Sequence, residues 1–182
     1  MGCDLTLGRL EPCKDKVGGI EEVSFINYED APFATFTNSV VAGTEDNIAS
    51  VSGTPNCYTY EIRGVGSFTQ NILSDRATGT TAFEQVLEIT LKKLTAATHK
   101  ELKMLVWGNP KVIIKDYNGN YFIAGLEHGM DVTGGTIVTG AAMNELSGYT
   151  LTLTGLEKKP APFLDGTPTV VGFVPVPGLV AG

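Results

Sequence analysis

The chain is short of charge, shorter still of cations, and has no long apolar run, and each shortage removes a class of function. Charged residues make up 18% of the sequence, below the roughly 25% usual in globular domains, so less of the surface is kept wet by charge. Its 13 Lys and Arg face 20 Asp and Glu, a net charge of −7. Tight binding of nucleic acid needs clustered cations, so a high-affinity DNA or RNA binder is excluded, although an acidic protein can sit beside DNA without gripping it. No stretch of about 18 apolar residues occurs, which excludes a membrane-spanning helix. The opening MGCDLTLGRLEPCKDK has neither the basic start nor the apolar segment of a signal peptide. Gly2-Cys3 is too slight a likeness to a lipidation site to carry weight. Cys3, Cys13 and Cys57 are an odd set without a secretion signal, and reduced thiols are expected.

Catalytic patterns are also missing. There is no P-loop, and Gly64-Val65-Gly66 is a lone G-x-G that opens no helix, better read as a bend in a strand. His99 and His128 stand in no metal-ligand spacing with the cysteines. Cys57 with His128 is a conceivable nucleophile pair, but a buried small hydrophobe is the commoner fate of such a cysteine. Glu84 and Glu88 share one face of a strand about 13 Å apart, too far for an acid/base pair. Trp107 closes a helix, where a packing anchor is the simpler reading. Neither an enzyme nor a cofactor or metal is expected.

What is present is β-forming. With 182 residues, 42% hydrophobic content and 22 glycines, the chain fits one mainly β domain with one flanking helix. Residues 1–19 read as an N-terminal arm or loop, residues 20–160 as the β domain, and residues 161–182 as an extended C-terminal arm. IEEVSFINYED from Ile20 alternates as a strand, with Val23 and Phe25 on one side and Glu22, Ser24, Ile26 and Tyr28 on the other. Residues 33–56 read as a strand fragment and a long loop. Residues 57–94 read as one long antiparallel hairpin, turning at SDRATGTT, with an apolar face carrying Tyr58, Tyr60, Ile62, Phe68, Phe83, Leu87, Ile89 and Leu91. Its polar face carries Glu61, Arg63, Glu84, Glu88 and Lys92. Thr98 and Glu101 form a capping box for a helix that Gly108 and Pro110 close. Asn118-Gly119 predicts a two-residue turn between two strands. A short strand is expected at residues 136–139 and a closing strand at residues 149–156.

In FEQVLEITLKKLT, HKELKMLVWGNPKVIIKDYNGNYFIAG and SGYTLTLTGLEKKPAP, the order of elements resembles that of the tail tube proteins of long-tailed bacteriophages. Their fold is shared with the secretion-tube Hcp family. The resemblance covers roughly residues 20–160, in element order and texture rather than a signature motif. The segment 33–56 and the apolar tail depart from it. It implies a subunit of rings, usually sixfold, that stack into a hollow tube for DNA. The partners would be further copies, other virion tail proteins and DNA in transit, and the location a virion assembled in the host cytoplasm. Edge-to-edge joining of hairpins would remove unpaired strand edges. The polar face would then line the lumen through Glu61, Arg63, Glu84, Glu88 and Lys92, its negative excess repelling phosphate. A tail terminator or a head-to-tail connector ring would share the fold. A monomeric barrel holding a small apolar ligand among Tyr58, Tyr60, Phe68 and Phe83 is the reading from another class.

The tail after Pro160 is apolar and punctuated by prolines, bears Asp165 as its one charge, and lacks the composition of a solvated disordered end. Subunit contacts are expected at Phe163, Val171, Phe173, Val176 and Leu179. Deletion of residues 163–182 is accordingly expected to leave a folded subunit that assembles poorly.

Overall fold

The computed structural model describes residues 8–11, 13–63 and 65–178. In chain order the elements are β1 (Ile20–Ile26), β2 (Phe36–Asn38), β3 (Ile48–Val51), β4 (Asn56–Glu61), β5 (Gly66–Asp75), β6 (Thr80–Lys92), α1 (Ala96–Trp107), β7 (Lys111–Asp116), β8 (Tyr121–Ala124), β9 (Asp131–Val138), β10 (Gly148–Glu157), α2 (Pro168–Val171) and β11 (Val174–Val176). The fold is mainly β with a flanking helix, as the composition leads one to expect. A five-stranded sheet runs β11-β4-β1-β7-β8, a four-stranded sheet runs β5-β6-β10-β9, and β2 and β3 pair by themselves.

Alternation explains the layers. Val23 and Phe25 of β1, Val112 and Ile114 of β7, and Ala124 of β8 meet Leu87, Ile89, Leu91, Tyr149, Leu151 and Leu153 of the four-stranded sheet, forming a core between the sheets. The residues between them, Ile26, Ile113 and Ile123, point the other way. There they join Ile48, Val51, Cys57, Leu164, Val171 and Phe173 in a second core. The five-stranded sheet is therefore covered on both faces. That is why Ser24 and Ile26, on the side of β1 opposite Val23 and Phe25, are buried as well.

Four expectations need correction, three of them local. Residues 57–94 are not one hairpin: β4 belongs to the five-stranded sheet, where Glu61 stands opposite Glu22, and only β5 and β6 form the hairpin. The chain changes sheets between Glu61 and Gly66. A side chain at Gly66 would meet Ile62 Cγ2 at 3.3 Å, so the close approach after the crossing suits glycine. The helix cap lies three residues before the expected one: Thr95 Oγ1 accepts from Thr98 N at 3.1 Å, leaving Thr98 and Glu101 inside the first turns. The turn after β7 is also longer than two residues. Asp116 Oδ1 accepts from Asn118 N at 2.9 Å and from Asn120 N at 2.8 Å, and Gly119 has φ 82°. Partial burial pushes the Asp116 carboxyl up, but these bonds and those from the Asn120 and Asn118 side chains outweigh it and hold it below its ordinary value.

The largest correction concerns the tail. Residues 161–178 fold back on their own subunit. Ile123 N donates to Pro162 O at 3.0 Å and Ile48 N to Phe163 O at 2.8 Å, which draws the chain over the second core. Pro168 opens α2 at a position where its missing N–H is harmless. Gly172 ends the helix at φ 117°, its α-carbon so close to Val51 that a β-carbon would lie 2.8 Å from the Val51 oxygen. Phe173 is then buried beside Phe36, and β11 adds in parallel to β4. Val171 and Phe173 are therefore core residues, not contacts held out for a neighbour. Phe163 is 44% exposed and stacks on Phe122 at 4.6 Å, Val176 is half-buried opposite Tyr58, and Leu179 lies outside the described residues.

Candidate functional site

The outward face of the four-stranded sheet is the feature most in need of a function. Cross-strand register sets its rows: Thr90, Thr150 and Thr136; then Ser67, Glu88 and Thr152; then Thr69, Val86, Thr154 and Asp131; then Asn71, Glu84 and Leu156. Short hydroxyls dominate it. Thr136 Oγ1 lies 2.6 Å from Thr150 Oγ1, and Asn71 Nδ2 donates to Glu84 Oε2 at 3.0 Å, so neighbouring strands are tied across the surface. No described element packs on this face. β5 and β9 are its two edges, and among the described residues neither has a second partner strand. Beyond β10 the β5-β6 hairpin continues as a two-stranded projection, with Ile72 and Leu73 largely exposed near its tip.

Of the five residues expected on the polar face, Glu84, Glu88 and Lys92 are there, at alternate positions of β6. Glu61 and Arg63 are not. They sit where β4 leaves the other sheet and pair with each other at 2.8 Å in an exposed ion pair, an arrangement of little energetic consequence. The aromatic residues of the ligand-barrel reading do not gather either. Tyr60 packs edge-on against Phe25 at 5.3 Å and Phe68 against Phe122 at 6.4 Å. A surface depression of about 310 Å³ is lined by Asn47, Asn120, Phe163 and Thr167 among others, and one of about 250 Å³ by Ser67, Glu88, Thr90 and Thr150 among others.

A second cluster lies inside the fold. The 125–130 connection, which carries the chain from one sheet to the other, is held by side chains from both. Gly125 N donates to Gln85 Oε1 at 2.9 Å, and Lys111 Nζ to Leu126 O at 2.9 Å. Glu127 N and His128 N both donate to Glu157 Oε1, at 3.0 and 2.9 Å. Tyr28 Oη donates to Glu127 O at 2.6 Å and Asn109 Nδ2 to His128 O at 2.7 Å. Glu157 and Lys111 are buried, and the Lys111 ammonium also lies 4.0 Å from the Tyr28 ring centre. His128 Nδ1 stands 3.3 Å from Glu157 Oε2, and Glu127 pairs with Lys158 at 3.3 Å. Glu127, His128 and Glu157 have the donor types of a cation site, yet each is committed to protein partners, so the cluster works as a clasp for the loop. Cys57 lies apart from it in the second core, its thiol pushed up to about 11 by burial and by Glu22, which suits packing rather than nucleophilic attack. Lys111 and Glu157 had no signal in the sequence beyond their place at strand ends.

Burial lowers the Lys111 ammonium to about 8, against the opposing pull of Glu157. An unfolded chain keeps that proton until about pH 10.4, so the native state binds fewer protons between these values. Stability contributed by Lys111 should rise as pH climbs from about 8 to about 10. Lys111→Met, which removes the charge but keeps the bulk, leaves the Leu126 carbonyl without its donor and Glu157 without its cation, and should cost about 3 kcal/mol at pH 7. The gap in urea midpoint between the two proteins should widen toward pH 10 as the native protein gains stability; a constant gap from pH 7 to 10 would show that Lys111 does not titrate in this window.

No protein-family model matches the chain, and no curated protein matches it significantly.

Proposed function

We propose that this protein is the subunit of stacked rings that form the tail tube of a bacteriophage virion and conduct DNA during ejection. The observation that carries the reading is the uncovered hydroxyl-rich sheet face lying between two open strand edges. A flat sheet with free edges invites pairing with other chains unless it is blunted, and β5 carries no proline or lysine to do so. Pairing β5 of one copy beside β9 of the next satisfies both edges, and repetition around an axis closes them into a barrel. The hydroxyl face then lines the channel. Threonine and serine offer DNA no cation to hold it, while Glu84 and Glu88 repel phosphate. The projecting hairpin, with Ile72 and Leu73, reaches the neighbouring copy or the next ring. The resemblance in element order supports the same reading, as does the acidic net charge. A terminator or connector ring is distinguished by stopping at one ring.

Electron microscopy of the purified protein tests it: rings or rods are expected, and a compact monomer at all accessible concentrations would refute it. Replacing Glu84 and Glu88 by Lys should leave assembly intact, because exposed charge changes usually cost within about 0.5 kcal/mol each. Delivery of DNA through tubes carrying the substitutions should fall. Failure of the substituted subunits to assemble would place these two residues in a contact rather than on the channel wall.

A further inference from the structure

The loop between β2 and β3 is built as a rigid knob. Ser39 N donates to Asn47 O at 2.8 Å and closes it; Thr44 N and Asn47 N turn back on Val41 O and Thr44 O at 3.0 and 2.9 Å. Inside, Ser39 Oγ lies 3.1 Å from Thr44 Oγ1 and Gly43 N donates to Glu45 Oε2 at 2.9 Å. Asn47 Nδ2 fastens the base to Asp165 at 2.8 Å. This frame displays Val40 at 96% exposure and Val41 at 61%, beside the exposed Glu45 and Asp46, the latter 3.6 Å from Lys159 Nζ in an exposed ion pair that a cation of another copy can exchange with. Two valines are thus held in water by a network that gains nothing from them within the subunit.

Helix α1 has the complementary problem. Leu102 is its one buried residue, while Met104, Val106 and Trp107 are 58%, 49% and 75% exposed. Lys100, Lys103, Met104 and Trp107 are spaced three and four apart and so share a face, and Lys103 Nζ lies 4.7 Å from the Trp107 ring centre. The two patches belong to different parts of the subunit. The knob is joined to the second core through Ile48, whereas α1 is anchored in the first core by Leu102.

We propose that the knob of one copy seats on the α1 face of the next, Val40 and Val41 covering Met104 and Trp107, with Glu45 and Asp46 facing Lys100 and Lys103. The occupant is a second copy because each patch carries what the other lacks: apolar surface with acids on one, apolar surface with cations on the other. In a chain of net charge −7, a face bearing two lysines is where an acidic knob of the same chain is attracted rather than repelled. The contact joins unlike surfaces, so it runs head to tail and either closes a ring or continues as a filament. It rests on the reading of this chain as a self-assembling subunit, and it adds a second contact beside the strand edges.

The test uses the full chain with Cys3→Ser and Cys13→Ser, the buried Cys57 retained. Val40→Cys and Met104→Cys proteins are mixed and treated with a short bismaleimide. Cross-linking is expected between the unlike copies, and a chain carrying both substitutions should give a ladder beyond the dimer. Asp46→Lys or Lys103→Glu alone should weaken association about threefold, and the two together should restore it. Rings or rods in which the unlike pair does not cross-link would overturn this contact while leaving the tube reading intact. Linkage of Val40→Cys only to itself, or no restoration by the charge exchange, would overturn it equally. A protein that sediments as a monomer throughout would overturn both.

Discussion

Removal of residues 163–182 is expected to unfold the subunit rather than release a folded, assembly-defective monomer. The deletion takes away Leu164, Val171 and Phe173, buried members of the second core, and strips β11 from β4. Phe173 alone is 2% exposed, and Phe→Ala at such a site costs about 3–5 kcal/mol, a large share of the roughly 5–15 kcal/mol that keeps a domain folded. Loss of the tail also exposes Ile26, Ile48, Ile113 and Ile123 beneath it. Urea titration followed by circular dichroism is the measurement. Phe173→Ala should shift the midpoint strongly downward, and the truncated chain should show no cooperative transition. A truncated chain that unfolds with the midpoint of the intact one would return the tail to the status of a free arm.

Glu157→Ala should be comparably severe. Glu157 is 4% exposed and accepts from two backbone N–H groups with one oxygen while the other faces His128. Truncation leaves those half-buried donors without their acceptor and leaves the Lys111 ammonium buried without its carboxylate. Breaking one partner of such a pair costs about 3–5 kcal/mol. Glu157→Gln keeps an acceptor for the loop and should cost less, about 1–2 kcal/mol. Protection of the Glu127 and His128 amides against hydrogen exchange should collapse in the alanine protein and persist in the glutamine one. Equal protection in both would mean that the loop is held by its other anchors.

The parts of the fold that the sequence makes legible are those governed by local periodicity. Alternation along β6 and β10 puts Leu87, Ile89, Leu151 and Leu153 inside and Glu84, Glu88, Thr150 and Thr152 outside, and Asn118-Gly119 marks its hairpin. Alternation does not say which sheet a strand joins. It runs on through residues 62–65 without a break, so the pattern alone joins β4 to β5 and puts Glu61 and Arg63 on a face they do not share. The cap was ambiguous for a local reason: Thr95 and Thr98 are both threonines, and Glu101 completes a box with the wrong one. Lys111 and Glu157 are charged residues at strand ends, and their burial is decided by the 125–130 loop, far away in the chain. The tail shows both sides. Its composition announced that something covers it, but apolar surface is silent about whose core it enters. Pro168 and Gly172, set as start and stop around Thr-Val-Val, were the available sign of a short helix.

The way the tail closes the second core also orders events in time. Asp165 meets Asn47 118 residues away, and Val174 pairs with Asn56, so the layer over Ile26, Ile113 and Ile123 is supplied late. A chain is made from its N-terminus, and contacts of such separation form slowly. A nascent subunit that has not reached residue 173 therefore leaves one face of its five-stranded sheet bare, although every strand of the other sheet has been made. The segment 161–178 thus closes the second core only after every other strand of both sheets has been made, and completion of the fold is registered in the subunit's own interior.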